Sequence, residues 1–312
     1  MKKFSTYGQQ LELLKSRNLI ISNETFATEV LINHGYYNLI NGYKDIFLHS
    51  RNNETYITNT KFSDIFELYS FDKKLRNRTL NNILEIETFI KAIIAHELAE
   101  ISELSYLDPT TYETRNPKQA NKVSGLIMQL KNTIKDKASL GNNAISHYIG
   151  KYGNVPIWVS INFFTLGNIS YLYSLLTNSI KIKIVTAINQ SKNLNLTTRE
   201  FSNYLSLLTF ARNECAHNQR IYNFSTKITL SQKNTTALKI LNTGVTINLG
   251  LEMLFIVFHD FLEHPSFVSY VEEFVTDMAI FSKGFPTIAL QNLLATISIK
   301  QTFIIAIVDT LI

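Results

Sequence analysis

The chain predicts an all-α fold, and three observations carry that prediction. Glycine and proline are sparse, 11 and five in 312 residues, which favours long helices over a many-turned sheet protein. Apolar residues recur at helical spacing through most of the sequence, most densely from Lys61 to Leu104. No internal repeat or low-complexity tract interrupts the pattern. With 45% hydrophobic residues the chain can bury a sizeable core. It divides into an N-terminal helical segment (1–60), a helical core (61–224) and a mostly helical C-terminal extension (225–312).

The elements follow in order. A first helix over 5–18 places Leu11, Leu14 and Leu13 on an apolar side. SNETFATEVLINHG predicts a second, capped at Ser22 and ended by Gly35. HGYYNLINGYKDIF (34–47) predicts tight turns at Gly35 and Gly42, packed down by tyrosines, and 48–60 predicts a loop. The apolar pattern of 61–104 exceeds one ordinary helix, so a kink or break is expected at Asn81-Asn82. A loop at 108–118 precedes a helix at 119–138. From 141 a loop passes through Pro156 into an aromatic helical segment around Trp158, broken at Gly167. Helices are expected at 179–192 and at 199–223, the latter capped by NLTT. STKITLSQK (225–233) alternates as a short strand or extended loop would. Residues 245–263, 266–281 and the apolar tail from Thr287 predict helices.

Charge and cysteine usage narrow the class. A net charge of +5 suits a nucleic-acid partner, although AT-rich codon usage would give the same skew. One cysteine, Cys215, allows neither an intramolecular disulfide nor a Cys-based zinc site within one chain. The basic N-terminus lacks an apolar stretch of signal-peptide kind. The longest apolar runs, MLFIVF (253–258) and FIIAIV (303–308), are too short to span a bilayer. A cytoplasmic protein without membrane association or cofactor is the expectation.

The most informative segment is RNECAHNQRIYN (212–223). It places Arg212 and Arg220, always charged, near His217, the side chain that titrates near neutrality. On a helix, Tyr204, Leu208, Ala211 and Cys215 form a core stripe. Asn213, His217 and Arg220 gather on the opposite face, and Arg212 lies about 140° round the axis from His217. An Arg at that angle meets the His of a second copy more easily than its own, so a composite site in a homodimer is expected. The bland alternative is a solvated polar face over a buried Cys215.

Four segments, in order, give the chain a family resemblance. LLKSRNLII with LINHGYYNLINGYKDIF, then IFELYSFDKKLRN (65–77), VPIWVSINFFTLGNISYLYSLL (155–176) and ARNECAHNQRIYN (211–223) resemble the AbiD/AbiF group of bacterial abortive-infection phage-resistance proteins. The resemblance spans about residues 8 to 224. It implies a HEPN-like helical bundle with helical extensions at both ends, and dimeric, metal-independent RNA cleavage by Arg-x4-His motifs, as in type VI CRISPR effector RNases. It also implies RNA as substrate and a small non-coding RNA as a further partner.

On that footing His217 is the general acid or base and Arg212 the cation that stabilises phosphate charge, with Asn213 orienting the ring or binding phosphate. Arg220 and Tyr222 are candidate RNA contacts, although Tyr222 also suits simple packing. Lys91 and His96, where the family often carries Arg and His, are candidate RNA-binding residues of a second half-site that positions RNA rather than cleaves it. A Glu87–Lys91 i,i+4 pair on a helix surface is the competing reading. Asp72–Arg76 reads as a structural i,i+4 pair. His259, Asp260, Glu263 and His264 lack zinc-helix spacing and read as a solvated face. Basic residues from Arg115 to Lys137 suit either RNA backbone or solvent. An RNA-binding or regulatory module that holds a small RNA without cutting it is the alternative function.

Overall fold

Two short helices lead into one very long one. α1 (Tyr7–Ser16) starts from a capping box in which Thr6 and Gln9 satisfy each other's backbone N–H. Leu11 and Leu14 turn inward, whereas Leu13 is exposed. α2 (Glu24–His34) is capped by Asn23, not Ser22, through the Phe26 N–H. It stops at Gly35, whose φ of +75° favours glycine. α3 (Phe62–Ile101) runs for 40 residues without the break expected at Asn81-Asn82. Ile83, Ile86, Ile90 and Ile94 continue the buried stripe of Leu68 and Leu75 straight past the two asparagines. Core packing therefore overrides their modest helix propensity. The structure, a computed structural model, describes residues 4–309 apart from 51, 53, 229–246, 248, 249, 284 and 298.

The link between α2 and α3 departs from expectation. Tyr37–Asn41 form a π-helical turn, Gly42 has a helical φ of −72°, and Lys44–Phe47 form a 3-10 turn. Of the two glycines, Gly35 takes a positive φ and Gly42 does not. Within the expected loop, β1 (Leu48–Ser50) and β2 (Thr55–Tyr56) pair antiparallel. Tyr56 and Ile57 bury their side chains among polar neighbours that mask the pattern.

After α3 come α4 (Pro117–Ser139), α5 (Ala144–Tyr152), the single turn α6 (Ile157–Ser160), α7 (Leu166–Leu175), α8 (Asn178–Lys192) and α9 (Thr198–Ala216). Gly167 does not break a helix. It lies in the first turn of α7, which a Thr165–Asn168 capping box starts, and a Cβ there would stand 3.6 Å from Thr209 Cγ2 of α9. α9 ends at Ala216, well short of 223.

α10 (Leu251–Phe261), α11 (His264–Ser282), α12 (Thr287–Ile297) and α13 (Gln301–Asp309) follow. α11 packs on α3, and α12 packs on the Lys44–Phe47 turn, where Asn292 Nδ2 donates to the Ile46 carbonyl at 2.9 Å. One core cluster extends from Leu11 to Ile307, so these helices complete the core around α3, α8 and α9. Ser225 forms an antiparallel bridge with Gly250. A Cβ at Gly250 would lie 2.3 Å from the Phe224 carbonyl oxygen, so only glycine allows this approach. The rest of the expected 225–233 strand, from 229 on, lies outside the described residues. Among the described residues no helix is long and apolar enough to cross a membrane.

A candidate cationic cleft around His217

The core stripe of α9 follows helical geometry: Tyr204, Leu208, Ala211 and Cys215 are all buried. Burial pushes the Cys215 thiol up to about 12. His217 is the C-cap, its N–H bonded to the Asn213 carbonyl at 3.0 Å. Asn218 then takes a left-handed φ of 56°, which ends the helix. Beyond it residues 217–224 form a strap that crosses α3.

Asp72 of α3 anchors that strap. One carboxylate oxygen accepts the N–H groups of Ile221 (3.0 Å) and Tyr222 (2.7 Å). The other accepts the Tyr43 hydroxyl (2.7 Å) and Arg76 Nη1 (2.9 Å). Asp72 is fully buried, and burial pushes its carboxyl above the usual carboxylate range while these four donors pull against the shift. Arg76 also donates to the Gln219 carbonyl at 3.4 Å, and Arg220 Nη1 to the Gly42 carbonyl at 2.6 Å. The strap is thus tied to α3 and to the turn after α2. The Tyr222 ring stacks on Tyr43 at 5.7 Å and is 1% exposed. It is a packing aromatic, and burial removes it from the expected RNA contacts.

Strap, α2 and α3 enclose a polar cleft of about 640 Å³. Its walls are His34, the tyrosine-rich segment from Tyr37 to Tyr43, then Tyr69, Lys73 and Arg76 of α3, and His217 to Arg220. His217 is exposed, and its ring has no hydrogen bond among the described residues. Lys73 is exposed without an ion pair among the described residues. Arg76 is 3% exposed, and its Nε has no partner among the described residues. His34 Nδ1 lies 3.2 Å from the Tyr69 hydroxyl. Burial, then the charge of Lys73, lowers the His34 pKa from its usual value. These groups can bind an anion and move a proton in one place.

The other sequence-predicted residues lie elsewhere. Arg212 is half-buried on α9, is absent from the walls of this cleft, and keeps an unpartnered Nε among the described residues. Asn213, expected beside His217 and Arg220, opens onto a separate groove with Gly167, Ser206 and Thr209. The helix ends between these residues, so one helical projection does not hold for all three. Lys91 is held by Glu87 at 2.7 Å, both side chains nearly buried. His96 is exposed on a third groove with Ala92, Ala95 and Trp158, whose walls do not include Lys91. The two do not meet in one half-site.

The 259–264 segment is only partly solvated. Asp260 is buried and accepts the Tyr204 hydroxyl, while Glu263 pairs with Lys192 at 2.8 Å. Among the described residues no cluster of three or more His, Cys, Asp or Glu is placed to hold a metal.

Sequence reasoning missed His34, Lys73 and the anchoring role of Asp72. His34 directly precedes the Gly-Tyr-Tyr of the family resemblance, and Asp72 and Arg76 already form a pair in sequence. Only the tertiary crossing of the strap joins them.

Fold and cleft together define a helical protein with a polar cleft, carrying two histidines, built where three distant segments meet. The family model described as Abi-like protein matches residues 29–223. That is more than half of the chain, which belongs to the Abi-like family. Membership implies a role in abortive-infection phage defence, and the matched span contains every cleft residue from Asn33 to Arg220. No curated protein and no solved structure matches the chain.

Proposed function

We propose that the chain is an endoribonuclease of the abortive-infection response, with a HEPN-type mechanism that needs no metal. The observation that carries the reading is the position of His217. Its ring stands exposed and without a hydrogen bond among the described residues, in a cleft lined by Lys73, Arg76 and Arg220. A phosphodiester is the natural guest of such a cleft, because cations hold its oxygens and an unengaged imidazole can exchange a proton. The 2′-oxygen of a ribose attacks the adjacent phosphorus, and the 5′-oxygen leaves. The products are a 2′,3′-cyclic phosphate and a 5′-hydroxyl. DNA has no 2′-hydroxyl and is spared.

Arg212 stands outside its own chain's cleft. In this reading a homodimer brings the Arg212 of one chain to the His217 of the other, where the guanidinium stabilises charge developing on the phosphate. The second reading, an RNA-holding module without cleavage, draws on the same displacement: the cleft keeps phosphate-binding cations even when Arg212 is absent. Expression of wild type, Arg212→Ala and His217→Ala, scored for growth and RNA ends, separates the two. The RNase reading expects toxicity and cyclic phosphate ends from wild type alone. RNA retention without cleavage by wild type favours the second.

A further inference from the structure

Transesterification needs two proton transfers, one from the 2′-hydroxyl and one to the departing 5′-oxygen. A cleft with His217 as its only imidazole would have to borrow the second from another chain. This cleft holds two. His34 at the end of α2 and His217 at the cap of α9 both line it, together with Lys73 and Arg76 of α3.

Resting on the RNase reading, we propose that His34 is a further catalytic residue of this cleft, the general base that works with His217 of the same chain on a single-stranded RNA phosphodiester. The Tyr69 hydroxyl lies 3.2 Å from Nδ1. The proposed base is the tautomer in which Nδ1–H donates to the Tyr69 oxygen and Nε2 is bare to accept a proton. Nε2 takes the 2′-hydroxyl proton as the 2′-oxygen bonds to phosphorus. The bond from phosphorus to the 5′-oxygen breaks, and protonated His217 gives that oxygen its proton. The phosphodiester and its cyclic product each carry one negative charge, and the two imidazoles return to their starting forms by exchange with water.

The groups that share the cleft with His34 fit the role: Tyr69, Lys73 and Arg76 of α3, Tyr43 of the segment after α2, and His217 and Arg220 of the strap all line it. The free cation of Lys73 and the half-burial of the ring both favour the neutral imidazole that a base requires. A second chain then has to supply only Arg212.

The test is cleavage of a single-stranded RNA by full-length wild type, His34→Gln, His34→Ala and Tyr69→Phe across pH. General-base loss predicts a rate fall of about 100-fold or more in His34→Gln, with an unchanged unfolding midpoint. The acidic limb of the profile, lying below the ordinary histidine value of 6.5, disappears in that variant. Added imidazole restores part of the His34→Ala rate, which a purely structural role would not allow. Tyr69→Phe, which keeps the ring, loses less. An equimolar His34→Gln and His217→Gln mixture stays inactive, because no single cleft carries both histidines.

A His34→Gln rate within twofold of wild type, with its acidic limb intact, overturns the proposal while leaving the RNase reading in place. Recovery in the mixture overturns the one-chain pairing. Absence of cleavage by wild type overturns both readings.

Discussion

Asp72→Ala tests whether the strap is held as described. Asp72 is the only acidic side chain bonded to Arg76 among the described residues, and both are buried. Its removal leaves a guanidinium that is 3% exposed without a countercharge. It also strips the acceptor from the Tyr43 hydroxyl and from the N–H groups of Ile221 and Tyr222. Breaking a buried pair by removing one partner costs about 3–5 kcal/mol. Each buried donor left bare adds about 1–3 kcal/mol, which water entering from the cleft partly returns. A loss of about 4 kcal/mol is the expected net, a large share of a typical stability of about 5–15 kcal/mol. Urea unfolding followed by circular dichroism reads it as a lower midpoint at unchanged slope.

A second variant separates charge from anchoring. Asp72→Leu with Arg76→Met removes both charges and should regain about half or more of the lost stability, since the uncompensated ion is gone. It leaves Ile221 and Tyr222 without their acceptor, so the strap loosens and RNA cleavage stays low. A loss below about 1 kcal/mol in Asp72→Ala, or a double variant as unstable as the single one, would refute the reasoning.

Three further outcomes follow from the same contacts. An equimolar mixture of Arg212→Gln and His217→Gln chains should cleave RNA at about a quarter of the wild-type rate, since half the dimers carry one complete site; two inactive variants that stay inactive together speak against a composite site. Cys215, buried with its thiol pushed up to about 12, should resist a thiol reagent at pH 8 in the native protein and take up one equivalent in denaturant; rapid native labelling would contradict its burial. Tyr222→Phe should leave RNA affinity unchanged, whereas Tyr222→Ala should lose about 3–5 kcal/mol of stability by emptying the stack on Tyr43; a weakened affinity in the folded Phe variant would return Tyr222 to the RNA surface.

What the sequence made legible were the local periodicities. The stripe of Tyr204, Leu208, Ala211 and Cys215 is buried as its spacing requires, and Asp72–Arg76 and Glu87–Lys91 are ion pairs at i,i+4. The end of α9 was harder to read, because no glycine or proline marks it. Its only signal is Asn218, a residue type that tolerates the left-handed region, in a segment otherwise compatible with helix. Extending the helix past that residue put Asn213, His217 and Arg220 on one face. The turn at Asn218 sends Arg220 and Tyr222 across α3 instead, one onto the Gly42 carbonyl and the other into the core. His34 stayed hidden because its partners, Tyr69 at 35 residues' separation and the strap beyond position 216, meet it only in three dimensions.

The most direct measurement is the chemistry of RNA ends left by purified wild type and by His217→Ala in the presence of a chelator. His217 is exposed and its ring has no hydrogen bond among the described residues, so the variant should fold with an unchanged unfolding midpoint. Wild type should leave 2′,3′-cyclic phosphate and 5′-hydroxyl ends, and the variant should leave the RNA whole. Equal cleavage by both proteins, or intact RNA with wild type, would contradict a catalytic cleft at His217.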